Sequence, residues 1–142
     1  MIHKISENLL LCEMIAPQDV ASATTTACTT WHNMELYDRG VILCQAYLSN
    51  TKTAIFTLLQ ASTAAGSGSS TISTKTVTLT GTTADPYQTG VIDFTAHDLY
   101  DSDSTEMFVG VQVVTNQDGD DVAAVGLLGG ASYKQATLPS AT

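Results

Sequence analysis

The residues able to do chemistry are few and poorly placed for it. Ser67 and Ser69 sit in Gly66-Ser-Gly-Ser69, histidines stand at His3, His32 and His97, and carboxylates gather at Asp98, Asp101, Asp103 and Glu106 and again at Asp118, Asp120 and Asp121. A serine nucleophile needs a strand-to-helix elbow of the G-x-S-x-G type with a base beside it. Gly66-Ser-Gly-Ser69 has neither that spacing nor that setting. No histidine has a second one four residues away, so the helical zinc pair is absent. His97 beside Asp98 is the one acid–base neighbourhood, and a histidine in a polar turn accounts for it. The two carboxylate runs carry the oxygen chemistry that calcium takes, yet neither has the loop glycine and distal glutamate of an EF-hand, so solvated turns are the reading. The expectation is a protein with no catalytic residue, no cofactor-binding residue, no metal ligand and no cofactor.

Composition narrows the partners. Five Lys plus Arg against 14 Asp plus Glu leave a formal net charge of -9 over 142 residues. Such a chain repels phosphate backbones, so no nucleic acid is expected. Only 13% of residues are charged, and Ser and Thr must cover much of the exterior. Cys12, Cys28 and Cys44 are odd in number and form no C-x-x-C, which argues against a disulfide scaffold or a zinc site. Leu9-Leu10-Leu11-Cys12 is too short for a signal h-region or a membrane span and is flanked by Glu7 and Glu13, so no membrane partner is expected and synthesis in a cytoplasm is. Trp31 and the tyrosines Tyr37, Tyr47, Tyr87, Tyr100 and Tyr133 are scattered, which suits packing better than a sugar-stacking platform.

The elements that must position these residues are strands. Residues 21 to 33 read as an extended edge strand leading to a compact turn at Glu35 to Gly40. Val41 to Leu48 is apolar on both faces apart from Gln45, as in a strand buried between two layers, and Asn50-Thr-Lys52 turns it into a hairpin with Ala54 to Ala61. Ser62 to Ser70 is an exposed glycine-containing loop. In Thr71 to Thr80, Val77 and Leu79 point one way and Thr76, Thr78 and Thr80 the other, giving one wet face. After the connection at Gly81 to Gly90, Val91 to Phe94 is a short strand, and Thr95 caps one helical turn to Tyr100 with Asp98 at its third position. Met107 to Val114 and Val122 to Leu128 are strands joined across the turn chemistry of Asn116 and Asp118-Gly119, and Gly129-Gly130 bends the last one before Tyr133. About eight strands at spacings of roughly 8 to 15 residues predict an all-β antiparallel sandwich, and among these a jelly roll. Residues 20 to 134 form that domain, with a C-terminal tail at 135 to 142. Trp31 and Tyr37 are expected to anchor its buried layer, and emptying the Trp31 site should cost about 3 to 5 kcal/mol.

Residues 1 to 19 fit neither a period of 3.6 nor one of two, and Pro17 ends whatever they form. Their surplus apolar side chains, Ile5, Leu9, Leu10, Leu11, Met14 and Ile15, are therefore expected to form an N-terminal arm that contacts a partner subunit.

Several phrases resemble one family. Pro17-Gln-Asp-Val20, Trp31-His-Asn-Met-Glu-Leu-Tyr-Asp-Arg39, Phe56-Thr-Leu-Leu-Gln-Ala61, Ile92-Asp-Phe-Thr-Ala-His-Asp-Leu99, Phe108-Val-Gly-Val-Gln-Val113 and Val125-Gly-Leu-Leu-Gly129 resemble the head decoration, or cement, proteins of tailed bacteriophages. The resemblance implies a jelly-roll sandwich on the outside of an assembled icosahedral head, often as a homotrimer, clamping neighbouring major capsid protein subunits against genome pressure. It implies a virion protein of the capsid exterior. The alternative is a non-catalytic carbohydrate-binding or tail-associated β-sandwich module, which would need exposed aromatics on one sheet.

Overall fold

The computed structural model describes residues 9 to 103 and 105 to 130; Ile5, Tyr133 and the tail at 135 to 142 lie outside the described residues. In chain order the elements are β1 (Leu9–Val20), β2 (Thr25–Ala27), β3 (His32–Asn33), a 3-10 turn at Met34–Leu36, β4 (Arg39–Tyr47), β5 (Thr53–Ala61), β6 (Ser70–Thr80), β7 (Tyr87–Thr95), α1 (Ala96–Ser102), β8 (Phe108–Thr115) and β9 (Asp120–Gly129).

The strands pair in a nested order, the early half of the chain against the late half reversed: β1 with β9, β2 and β3 with β8, β4 with β7, and β5 with β6, all antiparallel. Rolling that long ribbon up brings β4 beside β9 and β5 beside β8, and closes two sheets. One has the order β1-β9-β4-β7, and the other β2-β8-β5-β6 with β3 also on β8. This wrapping of two antiparallel sheets face to face is a jelly roll, as the strand spacing led one to expect.

The core lies between the sheets. Phe56, Leu58, Val111 and Val113 from the five-stranded sheet meet Ile42, Phe94 and Leu128 from the four-stranded one, each at most 1% exposed. Burying each such side chain contributes about 1.5 to 3 kcal/mol. Gly40 lets the Phe94 ring and Leu128 pack against the β4 backbone, where any Cβ would collide with both.

Several expectations change. Val41 to Leu48 and Ala54 to Ala61 are not a hairpin: β4 and β5 belong to different sheets, and their link crosses the edge of the sandwich. Turn chemistry at Asn50-Thr-Lys52 fixes a reversal of direction but not which sheet receives the next strand; Thr51 takes a φ of 64° to make the crossing. The extended stretch at 21 to 33 is two short strands on the β8 edge. Residues 9 to 19 are not outside the sandwich: they form most of β1, an edge strand. Its pairing register shifts between Glu13 and Ile15 and again between Ile15 and Gln18, and such bulges put side chains out of any fixed period. Pro17 falls in the second irregularity, on an edge where its missing N–H is tolerated, so the strand runs on to Val20.

Candidate functional site

Most of the candidate carboxylates are held by hydrogen bonds that build the fold. Asp98 is the N3 residue of a capping box: its Oδ2 accepts from the Thr95 N–H at 2.7 Å, and Thr95 Oγ1 accepts from the Asp98 N–H. Burial alone would raise its pKa, but the Thr95 N–H and the Lys75 ammonium, 3.3 Å away, hold it below the usual carboxylate value. Asp103 accepts from the N–H and hydroxyl of Thr105, which lowers its pKa too. Glu106 accepts from Gln60 Nε2 at 2.9 Å and Ser70 Oγ at 2.7 Å, tying the end of β5 and the start of β6 to the segment that leads into β8. Asp118 accepts from the Ser22 N–H, and the buried Asp120 accepts from the Ser49 N–H and hydroxyl. Asp121 stands opposite Asp19 across the β1–β9 pair, and sharing a hydrogen bond with that second carboxyl raises its pKa. Among the described residues no group of three or more His, Cys, Asp or Glu side chains could hold a metal ion. Nor is any helix there long and apolar enough to cross a membrane.

The three cysteines are free and buried. Cys12 and Cys44 lie in the core, where burial pushes their thiols up to about 11 and about 12. These are unreactive, structural thiols.

Of the predicted contact residues, the structure separates two groups. Met14 and Ile15 point into the core, each 2% exposed, so they fill the sandwich instead of reaching a partner. Leu9, Leu10 and Leu11 stand on the free edge of β1 with exposures of 39%, 39% and 69%.

The cross-strand register shows what those leucines adjoin. On the outer face of the four-stranded sheet, one row runs Leu11, Leu127, Val41, Asp93 and the next Glu13, Val125, Leu43, Val91, from β1 to β7. Leu43 is 39% and Val91 54% exposed, while Val41, Val125 and Leu127 are half-buried. A further row ends in Tyr47 and Tyr87, whose rings meet edge to face at 4.8 Å. β4 was read from sequence as covered on both sides; here its second face is bare. The opposite sheet differs: its outer side carries Thr57 and Thr76, joined by a 3.3 Å hydroxyl contact, beside Gln112 and Thr78.

That opposite side also holds Trp31. The indole is half-buried and lies outside the core cluster, so the expectation that it anchors the buried layer between the sheets is corrected. It packs over Gly110 of β8 beside Cys28, and the β5–β6 loop covers it at Gly66, whose φ is 76°. A Cβ at Gly66 would run into the ring, and one at Gly110 into the Cys28 sulfur with the ring pressed close behind, so both positions keep room for this side chain. Tyr37, by contrast, does pack against the core cluster.

Sequence reasoning missed Val41, Leu43, Val91, Val125 and Leu127 as surface. The available signal was a surplus: two neighbouring strands apolar on both sides, in a chain with no helices left to cover them.

The fold thus defines a jelly-roll β-sandwich bearing an uncovered aliphatic sheet face. No model of a known family matches the chain, and no curated protein matches it in sequence. Among solved structures it is similar to the Israel acute paralysis virus pentamer (9% identity over 85% of this chain and 68% of that one, TM-score 0.40). A Bacillus endospore appendage of a family of disulfide-linked pili also matches (9%, 86% and 88%, 0.39). So does the Kashmir bee virus empty particle at acidic pH (9%, 86% and 73%, 0.34).

Proposed function

We propose that this chain is a structural virion protein that binds the outer surface of an assembled phage head and reinforces it by holding neighbouring major capsid subunits together. The observation that carries the reading is the Leu9-Leu10-Leu11 edge, open to solvent on a strand whose Cys12, Met14 and Ile15 are fixed in the core. An exposed hydrophobic edge of this kind is a liability unless a partner covers it. The phrases resembling decoration proteins support the same reading, as does a fold that matches what they imply. Reinforcement needs no covalent step: a ligand that binds only the assembled lattice stabilises it by mass action, and a homotrimer multiplies weak contacts through effective concentration. The protein would be made in the host cytoplasm and reside on the capsid exterior.

A binding assay tests this. The purified chain, mixed with heads assembled in its absence, should co-sediment with them and raise their resistance to heating. Leu11→Asp should fold and fail to co-sediment; equal binding by that variant, or none by the wild type, contradicts the reading.

The exposed pair Tyr47 and Tyr87 is what a carbohydrate-binding module would require. Their rings are inclined at 68°, however, and offer no flat platform to a sugar, while Trp31 is tucked under its loop.

A further inference from the structure

The proposed function leaves open which surface meets the partner, and the charge around the bare sheet face narrows it. Its aliphatic centre, built on Leu43, Val125 and Val91, is edged by Glu13 and Asp93 in the two central rows and by the Asp19–Asp121 pair at one end. Against these four carboxylates the same face offers, among the described residues, one cation, Arg39. Lys75, near the β7 edge, is engaged by the Asp98 carboxylate and the Asp93 carbonyl oxygen. A second copy laid face to face would bring the two acidic rims together on chains that each carry a net charge of -9. Like charges so placed repel across an interface, and opposite ones direct docking.

Resting on the capsid-binding reading, we infer that the outer face of the four-stranded sheet is the docking surface and that its occupant is a protein surface with an aliphatic centre rimmed by lysine and arginine. The leucine edge of β1 continues that face through Leu11 and Leu127, so the two make one surface. The threonine-covered face of the other sheet is then directed away from the partner, toward solvent.

A matched pair of variants tests this. Leu43 on the proposed face and Ile55 on the opposite sheet have nearly equal exposure, 39% and 40%. With the full chain and heads assembled without it, Leu43→Glu should weaken binding at least tenfold, Ile55→Glu should bind like the wild type, and wild-type binding should fall as salt is raised. If Leu43→Glu does not fold, zero-length carbodiimide cross-linking of wild-type protein on heads replaces it: Glu13 and Asp93 should join to shell lysines. Wild-type binding with equal loss in both variants, or cross-links to the shell that include neither Glu13 nor Asp93, overturns the inference while leaving the capsid reading standing. Self-association of the free chain that Leu43→Glu abolishes overturns it as well, since the occupant would then be a second copy. A wild type that does not bind heads instead removes the capsid reading itself.

Discussion

At the scale of single residues, the thiols give the sharpest expectation. Cys12 and Cys44 ionise near 9 in an unfolded chain but only near about 11 and about 12 in the folded one, because burial disfavours the thiolate. The native state holds its protons longer, so this contribution to stability is whole below the unfolded value and is lost as pH rises through the folded values. Urea midpoints measured at pH about 7 and about 10.5 should therefore fall, and Cys44→Ala should flatten the fall. His32 has the opposite sense. Burial lowers its pKa below 6.5, so the neutral ring stabilises the fold above that value and the contribution disappears as pH drops through the lowered one. Trp31 belongs to this scale too. Lying outside the core and half-exposed, it should cost about 2 kcal/mol on substitution by Ala, less than a fully buried aromatic, with fluorescence partly open to aqueous quenchers. The sequence could announce a large aromatic next to a strand. It could not show that Gly110 and Gly66, far apart in the chain, clear a seat for it on the outer side of a sheet.

At the scale of elements, what was legible was local. The capping box of α1 needs only Thr95 and Asp98, three residues apart, and it forms as the spacing predicts, although the helix continues to Ser102. Thr95→Ala should cost about 1 kcal/mol, read from thermal unfolding. The alternation of β6 is equally local: Leu79 is buried and Val77 packs against the core, while Thr76 and Thr78 face water. What was not legible is what the chain does at a distance. β1 was hidden because two bulges break its period, and the supposed hairpin failed because sheet membership depends on partners 40 or more residues away in β7 and β9. Met14→Ala tests the place given to β1: as a core substitution it should cost about 2 to 4 kcal/mol in a denaturation curve, whereas a side chain on a detached arm would cost almost nothing. Deleting residues 1 to 16, which on the arm reading would spare the domain, should instead unfold it, since Cys12, Met14 and Ile15 go with the segment.

At the scale of the whole molecule, the regular strand spacing and absence of helical runs were enough for a jelly roll, because few other arrangements bury so many short strands. The difference between its two outer faces was not apparent. A strand that is apolar on both sides looks the same whether a second layer or only a partner covers it, and the distinction at Val41 and Leu43 appears only once the sheets are assembled. One face rich in threonine and one aliphatic with an acidic rim give the sandwich a direction, and a direction is what a protein that works through contacts requires. The central claim is that the chain sits on a shell and strengthens it. Electron cryomicroscopy of purified particles tests it most directly: regularly placed density of sandwich size should stand on the outside of the head, seated by its four-stranded sheet. Particles whose outer surface lacks that density, with the chain left in the soluble fraction, would contradict it.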